Sequence, residues 1–482
     1  MWLEWSADVF ARAEAERKPV LLSLVTAWSD ECALMDRTTY SQPDVTSLIE
    51  ARFVPVRVDA DRRPDINDRY TLGGWPTTVF LTSDADALSG GTYFDAPGMI
   101  ATLQEVADAY RDRANEIGAR AVAVRAARQQ RHQQPLQPST DSIAHVRSLL
   151  IERFDPLNGG FGSAPKLPYA NALSFAVSLA GDGDGELAEV SETTLQRMRA
   201  LWDPDSGGFY RYADAADWTR PGSAKTLEDN AALLHVYVEA ALRLRDVVWL
   251  EQAAAIVRWV RGAMADEANG GFFNARCSRE ADETMYVDRN AMMVGAFIRA
   301  AALFDDVWLR DFALKSLEAV IVPAYTPGGG VAHVIGANGA RSVRGLLTDQ
   351  IHVAAALIWA HAATGQLPYS MLAAEVIKFA IRTMWDEAAG AFRDRVDPND
   401  PLVPFELNCH AACVLDRLGV LTGDDAYHAR ARTILQSLSA DYREHDLFGA
   451  IYALAVREVL DRHPPAGLEL KPVDWHLGQT TD

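Results

Sequence analysis

The chain has 482 residues, 66 acidic and 46 basic, giving a formal charge of −20 with 49% hydrophobic and 23% charged residues. That length is about three times an ordinary domain, so two or more domains with ample core are expected. A field of this sign repels phosphate backbones and anionic membranes, which argues against nucleic acid or membrane partners, and no run of eighteen apolar residues offers a span.

From Met1 to Lys18 the chain is amphipathic and lacks the continuous apolar segment of a secretory signal, so a cytoplasmic location is expected. Short β-branched runs then alternate with helical patterns. Strands are predicted at 19–25, 53–58, 77–81 and 91–94, and helices at 7–16, 31–38, 44–51 and 98–115. This is an α/β domain over 1–118. A stretch rich in Gln and Pro, from Gln129 to Pro138, marks a linker over 119–140.

Beyond it the texture is helical, and a repeat emerges. Asp155-Pro-Leu-Asn-Gly-Gly-Phe161, Asp203-Pro-Asp-Ser-Gly-Gly-Phe209, Asp266-Glu-Ala-Asn-Gly-Gly-Phe272 and Asp386-Glu-Ala-Ala-Gly-Ala-Phe392 are versions of one loop, with Gly328-Gly-Gly330 where a further copy should fall. A ladder of amides, Asn171, Asn230, Asn290, Gln350 and Asn408, recurs with a period near sixty. Helical patterns begin near 141, 170, 184, 227, 246, 288, 306, 346, 367, 405, 424 and 447, which makes six hairpins. Short turns alternate with long Gly-rich loops, and helices apolar on nearly every face alternate with helices carrying a polar stripe. The expected fold is multidomain: α/β, then an all-α (α/α)6 toroid over 141–465, with a tail over 466–482. All long loops then share the face where the inner helices begin, which is where a ligand should bind.

In the first domain, Trp28-Ser29-Asp30-Glu31-Cys32 lies between a strand and a helix, where thioredoxin-like proteins place Cys-x-x-Cys. Ser29 replaces the first cysteine, so no internal disulfide can form, and Asp30 and Glu31 oppose a thiolate at Cys32. Pro76, after Gly74-Trp75, fits the cis-proline turn of that fold. Four cysteines, Cys32, Cys277, Cys409 and Cys413, are too scattered for a disulfide framework.

Taken together, Lys18-Pro19-Val20-Leu21, the Trp-Ser-x-x-Cys site, Val58 to Ile66, Gly74-Trp75-Pro76, Val79-Phe80-Leu81-Thr82 and Gly90 to Phe94 resemble the spermatogenesis-associated thioredoxin-domain family, the YyaL-like proteins. Gly159-Gly-Phe-Gly-Ser-Ala-Pro-Lys166, Gly208-Phe-Tyr-Arg-Tyr212 and Asp217-Trp218 are similar to that family's next signatures. The resemblance implies a thioredoxin-like domain fused to a toroid of the six-hairpin glycosidase kind, with a bacterial source and a role in carbohydrate metabolism. Two departures stand out. The family's Cys-His-x-Cys is degenerate here, and its His-Phe-Glu-Lys after Pro221 reads Gly222-Ser223-Ala224-Lys225.

At the toroid mouth the inner helices offer Glu228, Asp229, Asp288, Asp349 and Glu406, with Tyr210, Tyr212, Trp218, Phe273 and Tyr286 in the loops. Paired carboxylates and aromatic faces suit a sugar. The same acids also cap helix N-termini, and the residues alone leave both readings standing. Only six of the basic residues are lysines, and Lys166 and Lys225 fall in the loop signatures, as ligand contacts or as structural ion pairs. Asp229, Asp288 and Lys225 are the expected catalytic set, with Asp229 facing Asp288 and Lys225 pairing with Asp229. Lys166, Tyr212, Trp218, Tyr286, Asp349 and Glu406 are expected to contact ligand. His235, His352 and His410 lie on inner helices, and a core histidine is more often packing than catalysis. Cys409-His410-x-x-Cys413 lacks the spacing of a zinc site, so no metal and no cofactor are expected.

The expected function is binding or modifying a small carbohydrate-like molecule beside a redox-silent thioredoxin-like domain, which is left free for a protein partner. A monothiol redox or chaperone-like role through Cys32 and a non-catalytic scaffold are the alternatives.

Overall fold

A computed structural model describes residues 2–113, 116, 140–278, 281–336, 339–396 and 402–470. The chain divides into two compact units, Met1–Gln133 with Cys277–Glu280, and Gln134–Arg276 with Ala281–Asp482. Most of the expected linker, and the tail beyond 470, lie outside the described residues.

The first unit runs α1 (Ala7–Glu16), β1 (Val20–Val25), α2 (Asp30–Met35), α3 (Pro43–Arg52), β2 (Val54–Asp59), α4 (Pro64–Tyr70), β3 (Thr77–Leu81), β4 (Ala87–Gly91) and α5 (Ala96–Asp112). The sheet order is β2-β1-β3-β4, with β1 parallel to β2 and the other pairs antiparallel. Because successive strand residues face opposite ways, Val20, Leu22 and Leu24 pack with Val9, Ala13 and Ile66 on one side, and Leu21 packs with Met35, Met99 and Leu103 on the other. The Trp75–Pro76 bond is cis. This is the thioredoxin-like core expected from the sequence. The fourth strand lies at 87–91 rather than 91–94, and helix α4 was not predicted; Pro64 opens it, but its seven residues are too few to show a period.

The second unit contributes twelve helices among the described residues: α6 (Asp141–Arg153), α7 (Ala170–Gly181), α8 (Gly185–Met198), α9 (Leu227–Leu244), α10 (Val247–Trp259), α11 (Val287–Phe304), α12 (Val307–Ala324), α13 (Leu347–Thr364), α14 (Leu367–Met384), α15 (Phe405–Thr422), α16 (Asp425–Leu438) and α17 (Ala450–Val459). The odd-numbered helices from α7 onward touch in succession, and α17 packs against both α15 and α7, closing the ring. Helix α6 pairs with α17, so the first and last helices make the sixth hairpin. Thirteen of the eighteen residues of inner helix α11 are buried against five of thirteen in outer helix α10, which is the difference their apolar patterns predict.

The amide ladder proves to be carpentry. Asn230, Asn290 and Asn408, each the fourth residue of its helix, accept from the backbone N–H of Phe209, Phe272 and Phe392 and donate back to the same residue's carbonyl. Gln350 does the same with Val331, where the Gly-Gly-Phe copy is missing. Each loop's aromatic is thereby anchored in the core, while a glycine at φ near +80°, such as Gly208, turns the chain so close to Trp259 that a Cβ would stand 2.4 Å from its ring.

Candidate functional site

Register decides which side chains at the inner-helix N-termini face the bore. Residues four apart share a face, whereas the next residue along is turned by about 100°. The second residues are Asn171, Glu228, Asp288, Thr348 and Glu406. Asn171 on α7 donates to Glu406 on α15 at 2.8 Å, although those helices are separated in the ring by α17. Glu228 on α9 raises the carboxyl of Glu406, on the opposite side of the ring. Side chains that meet across the ring project into its bore. Glu228 and Glu406 keep 45% and 54% of their side-chain surface open, yet are surrounded by protein that displaces bulk water and pushes both carboxyls up. Arg289 stands 3.4 Å from Glu228 and opposes that shift.

One turn deeper, His352 and His410 lie with ring centroids 5.4 Å apart, and His410 Nε2 is 3.9 Å from Glu406 Oε1. Burial pushes both imidazoles down, His410 to about 3, leaving neutral bases at pH 7.

Asp288 and Asp349 meet beside this lining. The Thr348 hydroxyl donates to Asp288 at 2.9 Å, and His333, on the loop strand Gly330–Ile335, places Nδ1 2.9 Å from Asp349 and 3.7 Å from Asp288. Burial pushes the fully buried Asp349 up to about 6, against the pull of His333. Burial acts likewise on Asp288, but His333 and Arg289 outweigh it and hold that carboxyl below its ordinary value.

Several expected roles need correction. Asp229 is a third residue, not a second, so it does not face Asp288. It closes a reciprocal cap with Thr226, whose hydroxyl donates to its carboxylate while accepting from its N–H, and Arg211 holds it at 3.1 Å. Lys225 does not pair with Asp229. It is buried and donates to Asp203 at 2.6 Å, Ser206 at 2.6 Å and the Gly207 carbonyl at 2.7 Å. Lys166 is fully buried and bonded to Asp155 and the Gly162 carbonyl, both at 2.8 Å. Both lysines lock Gly-Gly-Phe loops. Trp218 is fully buried with its indole N–H on the Asn158 carbonyl, and Tyr286 is 2% exposed between His333 and Arg289, so neither offers a sugar-stacking face. Tyr212 is half-buried, its ring against Gly222. Glu406 and Asp288 remain at the bore.

Sequence reasoning missed His333, which has no spacing signal, and placed Glu228 at the mouth without choosing it, although its lumenal direction follows from its second-residue position. In the first unit, Ser29 Oγ caps α2 by accepting from the Cys32 N–H at 3.1 Å. Cys32 is 4% exposed, and burial raises its thiol, with the charges of Asp36 and Glu31 adding to the shift. Trp28 donates to Asp61 at 2.7 Å and meets Trp75 edge-on.

A family model described as "Protein of unknown function, DUF255" (Thioredox_DsbH) matches residues 1–128. Human spermatogenesis-associated protein 20 is 28% identical over 302 residues, 57% of this chain and 38% of that protein. Uncharacterized protein B0495.5 of Caenorhabditis elegans is 28% identical over 258 residues, 49% and 35% respectively. The matches thus span little more than a third of those relatives' length. Their sources, with rat and mouse counterparts, are animals, which corrects the expected bacterial label. Among solved structures, a D-mannose isomerase superposes with a TM-score of 0.59 at 14% identity, covering 67% of this chain and 97% of that one. The cellobiose 2-epimerase of Spirochaeta thermophila gives 0.57 at 14% identity, covering 67% and 96%. A glycoside hydrolase family 76 mannosidase of Bacteroides thetaiotaomicron gives 0.53 at 13% identity, covering 67% and 98%. At such identities the likeness establishes the fold. The chain is similar to spermatogenesis-associated protein 20 over part of its length, and its fold is a thioredoxin-like domain followed in sequence by an (α/α)6 toroid. No helix among the described residues is long and apolar enough to cross a membrane.

Proposed function

We propose that the toroid takes a neutral or cationic sugar-like molecule into its bore and acts on it by proton transfer, while the thioredoxin-like domain performs no dithiol exchange. The observation that carries this reading is the layered lining: Glu228 and Glu406 in one ring, the neutral His352 and His410 one turn below. A carboxyl that holds its proton more tightly can donate it and a neutral imidazole can accept one, which are the two halves of acid–base catalysis, and acidic groups orient hydroxyls through charge-assisted bonds. Sugar epimerase, isomerase and mannosidase are the names of proteins that share the fold, and they suggest the substrate class. The anionic lining disfavours phosphorylated or uronic sugars.

A thermal-shift panel of neutral, amino and phosphorylated sugars tests this reading. A neutral or amino sugar should raise the melting temperature. Glu228→Gln should weaken that ligand by about 10- to 100-fold, as loss of a hydrogen bond to a charge does, whereas Asp229→Asn should leave it unchanged. Incorporation of deuterium from solvent at a sugar carbon would report the proton transfer. A ligand indifferent to Glu228, Glu406, His352 and His410 variants would defeat the assignment.

A further inference from the structure

Asp288, His333 and Asp349 present three donor atoms that all lie within 4.8 Å of one another, and all three residues are buried. Three other buried acids of the toroid are paired with permanent cations: Glu239 with Arg299 and Arg243, Glu458 with Arg417, and Asp203 with Lys225. Asp288 instead meets the Thr348 hydroxyl and the His333 imidazole, with the neighbouring Arg289 acting on it from a distance, and Asp349 is bonded to the same imidazole. The side chain of Asp349 is 0% exposed and its Oδ2 has no hydrogen-bond partner. Asp349 is therefore a fully buried carboxylate bonded to an imidazole, with one oxygen left unbonded, a burial that is costly unless a cation compensates it.

We propose that Asp288, His333 and Asp349 bind a first-row divalent cation of the zinc or manganese kind at the wall of the bore. Ligand bonds of about 2.0–2.2 Å place neighbouring donors roughly 3–3.5 Å apart, and the separations from His333 Nδ1 are 2.9 and 3.7 Å. A single imidazole with two carboxylates is a mixed nitrogen and oxygen set, which suits zinc or manganese better than the all-oxygen sites of calcium and magnesium. Asp288, with 11% of its side chain open against 1% and 0% for the other two, marks the side from which water or a ligand hydroxyl completes the shell. The expectation of no metal rested on the Cys409 to Cys413 spacing and did not include His333.

The proposal does not rest on the sugar reading, and its test uses no sugar. Full-length protein stripped with a chelator is titrated calorimetrically with Zn²⁺, Mn²⁺ or Mg²⁺ alone. One equivalent of zinc or manganese should bind, far more tightly than magnesium, and raise the melting temperature. His333→Gln and Asp349→Asn should each weaken binding by at least about tenfold. Should either variant fail to fold, Co²⁺ bound to the wild type reads the donor set directly, giving ligand-field bands without thiolate charge transfer. No stoichiometric binding, binding unchanged in the variants, or a thiolate band pointing to Cys409 and Cys413 would overturn the proposal. So would an Asp349→Asn protein that is more stable while the wild type ignores metal, since the pair would then merely share a proton.

Discussion

Cys32 stands where a thioredoxin-like domain needs a usable thiol, and two local features work against one. It is buried and acidic groups, Asp36 and Glu31, surround it, which outweighs the hydrogen bond by which Ser29, in the place of the partner cysteine, would favour the thiolate. The expected outcome is alkylation at pH 8 at least about tenfold slower in the native protein than in urea, and insulin reduction at background level. Fast native labelling would revive the monothiol reading. At this scale the sequence spoke plainly for Ser29 and Cys32, because the chemistry lies in adjacent residues. It spoke ambiguously for Lys166 and Lys225. Their scarcity marked them as special, but their partners Asp155 and Asp203 lie 11 and 22 residues upstream, across the loop, and only folding brings them together.

The loops that end in Phe209, Phe272 and Phe392 each form one element with the amide that follows, the helix supplying the anchor. Removing Asn290 leaves the N–H and carbonyl of Phe272 without the amide that satisfies them, together with the Tyr286 carbonyl. Each orphaned buried group costs about 1–3 kcal/mol, so Asn290→Ala should lower unfolding free energy by several kcal/mol, and Asn230→Ala by a similar amount. Asn171→Ala should cost under about 1 kcal/mol, because its bond to Glu406 lies at the open bore. Urea denaturation of the three variants makes the comparison, and equal losses would show that the anchoring role is misread. The period near sixty made this ladder visible from sequence alone. Asn171 was admitted to it by spacing, yet it is the second residue of its helix while the other four are fourth residues, and that small offset turns a core anchor into a bore-lining group. An offset of one residue separates Asp229 from Glu228 in the same way, so the positions of the helix boundaries decided the site.

The closed ring follows from counting: twelve helices with alternating long and short connections can bury their apolar faces only as two concentric layers. What counting does not show is how such an acidic molecule tolerates its buried carboxylates, and the answer sets its response to pH. In the folded toroid, burial tends to raise Asp155 and Asp203, but hydrogen bonds from Lys166 and Asn158 to the one, and from Lys225, Ser206 and backbone N–H groups to the other, together outweigh it, holding Asp155 at about 2 and Asp203 well below the ordinary range. A carboxyl lowered on folding adds stability that is complete above its unfolded value near 4 and is lost as pH falls through the folded value. For Asp155, a shift to about 2 amounts to roughly 2 kcal/mol. Glu228 and Glu406 run the other way, since carboxyls raised on folding favour the native state as they protonate, and stability should therefore hold or rise slightly as pH first falls from neutral. Below about pH 4 the lowered aspartates dominate, and the urea midpoint should fall steeply toward pH 2. Lys225→Met removes the cation and leaves Asp203 buried without it, so the variant should lose about 3–5 kcal/mol at pH 7 and show a shallower acid limb, part of the pH-dependent stability being already gone. A wild-type midpoint that stays flat from pH 5 to pH 2.5, or a Lys225→Met protein that keeps the full acid dependence, would mean that these loop ion pairs do not hold the toroid together.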